Sequence, residues 1–125
     1  MIKVLIAEDE EGILYSISNA FSWENMGCEI IGLAQNGIQA LEYSLSTPPD
    51  IVISDIVMPG IDGITFLRYL KEKYPNTQFI ILTGHRNFEY ACYALNLGAA
   101  VFLLKPVNYK ELENHLKKII NTILA

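Results

Sequence analysis

Three acids, a hydroxyl and an ammonium stand at the ends of four apolar runs in this 125-residue chain. Val4-Leu5-Ile6-Ala7 leads into Glu8 and Asp9, Ile51-Val52-Ile53-Ser54 into Asp55, Phe79-Ile80-Ile81-Leu82 into Thr83, and Val101-Phe102-Leu103-Leu104 into Lys105. In an open α/β sheet, ligands bind beyond the carboxyl ends of parallel strands, so residues placed there converge although they lie far apart in sequence. Glu8, Asp9 and Asp55 in one cleft repel one another, and a raised pKa or a bound cation relieves that repulsion. A hard divalent ion such as Mg²⁺ takes one or two carboxylates, keeps some waters and reaches phosphate oxygens, a demand that this trio of acids meets better than it meets that of zinc.

The elements that must position these groups alternate in period. Strand-length apolar runs over 3–7, 28–34, 51–54, 78–82 and 100–104 are separated by segments of helical spacing, the pattern of a parallel sheet with helices on both faces. The first helix presents Ile13, Leu14, Ile17 and Phe21 on one face before Gly27 closes the turn. Asn36-Gly37 opens a second, with Ile38, Leu41 and Leu45 spaced for burial and Pro48-Pro49 stopping it. A third starts near Gly63 and buries Ile64, Leu67 and Leu70; a fourth spans about 87–97 and ends at Gly98, a left-handed cap. The last helix has Asn108 as N-cap, Glu111 as capping-box partner, Val107 and Leu112 as a staple, and a buried stripe of Leu112, Leu116, Ile119 and Ile123.

Composition narrows the function. One domain over 1–125 is expected, and a net charge of -5 argues against this chain gripping a nucleic-acid backbone itself. No apolar stretch approaches the roughly 20 residues needed to span a bilayer. The first run is too short for a secretory core and meets four acids at once, Glu8 to Glu11, so a cytoplasmic location is expected. Cys28 and Cys92 lack CxxC or CxxH spacing and read as core thiols. His85 and His115 read as surface residues, Met58 as loop packing, and Asp62-Gly63 as a helix start.

Glu8-Asp9-Glu10, Ser54-Asp55-Ile56-Val57-Met58-Pro59-Gly60-Ile61-Asp62-Gly63, Thr83-Gly84 and Phe102-Leu103-Leu104-Lys105-Pro106 carry a resemblance over the whole length. The chain resembles the receiver domains of two-component response regulators. The text around Phe21-Ser22-Trp23-Glu24, Asn87-Phe88-Glu89-Tyr90-Ala91 and Leu103-Leu104-Lys105-Pro106-Val107 looks most like receivers joined to AraC-type helix-turn-helix output domains. The resemblance implies a flavodoxin-like (βα)5 fold with strand order 2-1-3-4-5. It implies that Asp55 accepts a phosphoryl group from a sensor histidine kinase, in a signalling domain that is not a conventional enzyme. Asp9, Asp55 and the Val57 carbonyl are then Mg²⁺ ligands, with Glu8 acting through water. Lys105 and Thr83 are the implied phosphoryl contacts, and Thr83 and Phe102 the switch. DNA binding is left to an output domain outside this chain.

Two expectations concern the consequences. If Phe88, Ala91 and Leu95 face the sheet, then Tyr90, Tyr93 and Leu97 form a second stripe, a surface for a homodimer or an output domain together with the fifth strand and last helix. Val57, two residues beyond the acceptor, offers no side-chain hydrogen bond to a hydrolytic water, so the phosphate is expected to be long-lived.

Rival readings fare worse. A flavodoxin-type carrier needs a Ser/Thr/Gly-rich phosphate loop where this chain has four consecutive acids. A haloacid-dehalogenase-type phosphatase needs a second acid where Val57 stands. A non-phosphorylated pseudo-receiver, acting as a binding module, predicts degraded pocket residues, and none of the five is degraded.

Overall fold

A computed structural model describes residues 1–84, 89, 92, 93, 96, 98 and 101–125. Strands β1 (Ile2–Ala7), β2 (Cys28–Ala34), β3 (Ile51–Asp55), β4 (Gln78–Thr83) and β5 (Val101–Leu104) form one sheet in the order β2-β1-β3-β4-β5, every neighbour parallel. Helices α1 (Glu11–Asn19), α2 (Gly37–Ser46), α3 (Gly63–Lys73) and α4 (Tyr109–Leu124), with a short 3-10 turn at Glu24–Met26, are described from end to end. None of them is long and apolar enough to cross a membrane. The helix expected over 87–97 lies mostly outside the described residues, including Phe88, Tyr90, Ala91, Leu95 and Leu97, as does His85. Glu89, Cys92, Tyr93 and Asn96 have helical backbone, and Gly98 takes the expected left-handed conformation at φ 96°.

Alternation along the strands divides the core in two, because successive side chains point to opposite faces. Val4, Ile6, Ile51, Ile53, Ile80 and Leu82 pack with Leu14 and Ile17 of α1 and Leu112, Leu116, Ile119 and Ile120 of α4. Leu5, Ala7, Val52, Phe79 and Ile81 pack with Ala40 of α2 and Phe66, Leu67 and Leu70 of α3. The register sets Ala7 opposite Ser54, Asp55 opposite Leu82, and Thr83 opposite Leu104, so the polar residues ending β1, β3, β4 and β5 emerge at one edge.

Capping follows the sequence. Asn36, Asp62 and Asn108 each accept a hydrogen bond from a backbone N–H three residues on, in Gln39, Thr65 and Glu111. The buried faces need correction in two helices. Ile38 and Leu45 of α2 are half-exposed, at 53% and 47%, while Gly37, Ala40 and Ser44 are buried. At the start of α2 only a glycine fits, since a Cβ on Gly37 would stand 1.9 Å from the Ile61 carbonyl oxygen, and further along the Tyr43 ring takes the space left by Gly32 of β2. In α3 the buried set is Phe66, Leu67 and Leu70, with Ile64 only partly covered. Phe66 meets Phe79 edge to face, at 6.2 Å between ring centres. Ile120 joins the stripe of α4, and Ile123 is partly covered. Trp23 was not expected in the core, yet it is buried and its indole N–H donates to the Ser18 carbonyl at 2.9 Å.

Candidate functional site

Each strand end delivers its group by a backbone bond that continues the sheet. The Glu8 N–H donates to the Ala34 carbonyl, the Ile56 N–H to Leu82, and the Lys105 N–H to Thr83. Glu8 is fully buried, Asp55 is 6% exposed and Thr83 fully buried, while Asp9 faces solvent. Carboxylate oxygens of Glu8, Asp9 and Asp55 lie within 4.8 Å of one another. Four of the residues singled out at the strand ends, Glu8, Asp9, Asp55 and Lys105, thus meet in one cluster, and Thr83 ends the strand beside Asp55.

Lys105 is its internal cation. Its Nζ donates to Asp55 Oδ2 at 2.8 Å and ion-pairs with Glu8 Oε1 at 2.6 Å. Burial alone lowers the lysine pKa, but the Asp55 and Glu8 carboxylates outweigh it and raise it above its ordinary value. Glu8 shows the opposite balance: burial pushes its carboxyl from 4.5 up to about 7, against the lowering effects of Lys105 and the Glu10 N–H. The Glu10 N–H reaches Glu8 Oε2 at 3.1 Å, whereas Glu8 Oε1 accepts no well-directed hydrogen bond and is offset only by the lysine charge. A buried acceptor left in that condition, within an all-oxygen donor set, fits a hard divalent cation.

Around the acids, the Val57 N–H donates to Asp55 Oδ1 at 3.3 Å and the Val57 side chain is 51% exposed. The Thr83 hydroxyl donates to the Gly84 carbonyl at 3.1 Å. Phe102 is half-buried against the α2/α3 side of the core. Tyr93, expected on an open stripe, leans on α3: Arg68 Nη2 donates to its hydroxyl at 2.5 Å, and the guanidinium carbon lies 5.7 Å from the ring centre. A cavity of about 580 Å³ opens beside the acceptor loop between Val57, Ile64, Glu89 and Tyr93. Cys28 and Cys92 are free thiols, buried and half-buried, and burial pushes the Cys28 thiol up.

Sequence reasoning placed Gly63 and Gly37 at helix starts but missed that they also hold the loop after Asp55. Gly63 donates its N–H to the Ile56 carbonyl at 2.8 Å, and a Cβ there would stand 2.3 Å from the Asp55 carbonyl. Gly37 donates to the Pro59 carbonyl at 3.1 Å from the side of α2. Buried Ser54, whose hydroxyl donates to the Asp55 carbonyl at 2.9 Å, was also passed over. The signal for Gly63 and Gly37 was a glycine at the first position of a helix, behind an Asp or Asn cap.

A parallel sheet of this order, with acids, a hydroxyl and a lysine gathered at its carboxyl edge, is the architecture of a signalling receiver. The chain belongs to the response regulator receiver domain family, which matches residues 4–117. It is 41% identical over 120 residues to YesN of Bacillus subtilis (strain 168), described as an uncharacterized transcriptional regulatory protein, covering 96% of this chain and 33% of that one. To the DNA-binding transcriptional regulator NtrC of Escherichia coli (strain K12) it is 32% identical over 108 residues, covering 86% of this chain and 22% of NtrC. The chain therefore spans a third or less of the length of these curated relatives. Among solved structures, the REC domain of AraT, a response regulator from Geobacillus stearothermophilus, superposes with a TM-score of 0.93 at 35% identity, covering 98% of this chain and 95% of that one. A two component transcriptional regulator AraC from Clostridium phytofermentans ISDg gives a TM-score of 0.89 at 28% identity, covering 99% and 96%. Receivers of this family hold Mg²⁺ at an acidic pocket, and this chain gathers an acidic cluster at Glu8, Asp9 and Asp55.

Proposed function

We propose that residues 1–125 form a receiver that accepts a phosphoryl group on Asp55 from the phosphohistidine of a sensor histidine kinase, or from a small donor such as acetyl phosphate. The contact of Lys105 with Asp55, at 2.8 Å across 50 residues of sequence, is the observation that carries this reading. Asp9, Asp55 and the Val57 carbonyl hold Mg²⁺, with Glu8 acting through water. When bound, the ion neutralises charge on the transferring group.

The chain's own residues do the rest. An Asp55 oxygen attacks phosphorus, the P–N bond of the donor histidine breaks, and the electron pair leaves with the imidazole, which takes up a proton. Lys105 stays charged and follows the phosphoryl oxygens, since its two carboxylate partners stabilise the ammonium form. The Thr83 hydroxyl leaves the Gly84 carbonyl for a phosphoryl oxygen, and Phe102 turns inward into the space released, changing the face of β5 and α4. That face is the surface offered to a second copy or to an output domain. The protein acts in the cytoplasm on transcription, through a DNA-binding region outside these residues.

A pseudo-receiver that only binds partners is the second reading. The ion pairs of Lys105 with Glu8 and Asp55 speak against it, since a binding module has no use for buried, mutually repelling acids held by one lysine. Incubation with acetyl phosphate and Mg²⁺, followed by intact mass, tests the choice: a phosphate-sized gain in wild type and none in Asp55→Asn supports the acceptor, and no gain in wild type supports the module.

A further inference from the structure

We propose that the first turn of α2 is a clamp on the loop over 56–62, with Gly37 and Ile38 acting as positioning residues for the metal; this rests on the assignment of the Val57 carbonyl as a ligand. A carbonyl ligand has no rotamer of its own, so it sits wherever its loop is held.

That loop is pinned from several sides. On the sheet side, the Ile56 N–H donates to the Leu82 carbonyl at 3.0 Å and the Ile56 carbonyl accepts from Gly63 at 2.8 Å. On the other side, Gly37 is the first residue of α2, and its N–H, which has no partner within the helix, donates to Pro59 at 3.1 Å. The approach is so close that a Cβ on Gly37 would stand 1.9 Å from the Ile61 carbonyl oxygen and 2.7 Å from the Ile61 Cβ. Gly60, at φ 83°, turns its bare Cα toward Ile38, where an added Cβ would lie 3.2 Å from Ile38 Cγ1. Ile38 is 53% exposed, so its place over Gly60 matters more than its share of the core. The fully buried positions of α2 are the small Gly37, Ala40 and Ser44, and it is Gly37 that lets the helix press against the loop. Groups that orient metal ligands from outside the coordination sphere commonly change affinity about 10- to 100-fold when altered.

Thermal melting of the whole chain across a Mg²⁺ titration tests the clamp, comparing wild type with Gly37→Ala, Ile38→Ala, Asp9→Asn and Gly12→Ala, whose added methyl meets nothing within 4 Å. The midpoint of the Mg²⁺ response is expected to rise about tenfold in Gly37→Ala and by a smaller factor in Ile38→Ala, and to stay in place in Gly12→Ala. Should Gly37→Ala not fold, Ile38→Ala decides, because its exposed side chain is dispensable to the core. A purely structural role would lower melting temperature equally at every Mg²⁺ concentration with the midpoint unmoved, and that result overturns the clamp alone. A wild type that ignores Mg²⁺, or an Asp9→Asn variant that responds as wild type does, overturns the metal site and the clamp with it.

Discussion

Lys105 Nζ lies 2.8 Å from Asp55 Oδ2 and 2.6 Å from Glu8 Oε1, so a single ammonium holds carboxylates delivered by two neighbouring strands. The lysine side chain is only 21% exposed, and its removal strands buried acceptors. Lys105→Met is expected to lose about 1–3 kcal/mol of stability in metal-free buffer, with Mg²⁺ restoring most of it. Chemical denaturation with and without Mg²⁺ measures the difference; equal losses in both buffers contradict the shared-cation account.

The Glu8 carboxyl gives the pocket a pH response of definite sign. Its pKa is raised from 4.5 to about 7 in the folded protein, first by burial, so between those values the folded state keeps a proton that the unfolded chain has released. Its contribution to stability is full below about pH 4.5 and fades as pH rises through 7. Metal-free wild type is therefore expected to lose melting temperature relative to Glu8→Gln between about pH 5 and about pH 8. Parallel curves for the two proteins refute the assignment. Protons also compete with the ion, so Mg²⁺ affinity is expected to climb over the same range.

Thr83 already spends its hydroxyl on the Gly84 carbonyl at 3.1 Å. Phosphorylation therefore exchanges a neutral hydrogen bond, worth about 0.5–1.5 kcal/mol, for a charged one worth about 1.5–3 kcal/mol. The net gain of about 1 kcal/mol shifts a two-state equilibrium about fivefold, smaller than the bond itself suggests. Thr83→Ala is expected to accept phosphate yet lose the shift of the Phe102 ring signals in NMR spectra. A Thr83→Ala protein whose Phe102 signals still move on phosphorylation argues that the coupling runs elsewhere.

Val57 exposes 51% of its surface beside the acceptor and has no side-chain group to hold water. The Asp55 phosphate is expected to outlast that of a Val57→Asn variant in Mg²⁺ buffer. Loss of wild-type label within seconds, or no difference between the two, contradicts this.

How far these features were legible in the sequence depended on how sharply pattern and packing agreed. Each buried strand broke abruptly into a charged or hydroxyl residue, so Glu8, Asp9, Asp55, Thr83 and Lys105 could be placed at one sheet edge before any coordinates. The helix starts at Asn36-Gly37 and Asp62-Gly63 and the cap at Asn108 were equally plain. The inward face of α2 was not, because apolar spacing pointed to Ile38 and Leu45 while close approach to the loop demanded Gly37. In α3 the bulkier Phe66 took the place that spacing gave to Ile64, since it fits edge-on against Phe79 of β4. No local signal reveals that Tyr93 meets Arg68, a contact set only by how the helices sit on the sheet.

The central claim is that Asp55 is the acceptor, and locating the phosphoryl group tests it most directly. After treatment with acetyl phosphate and Mg²⁺, borohydride converts an acyl phosphate to the alcohol, and peptide mass spectrometry then reads which carboxylate was modified. Conversion at Asp55, with Glu8 and Asp9 untouched, is the predicted result; conversion at Asp9 or Glu8, or a phosphate that survives on a histidine or serine, would contradict it.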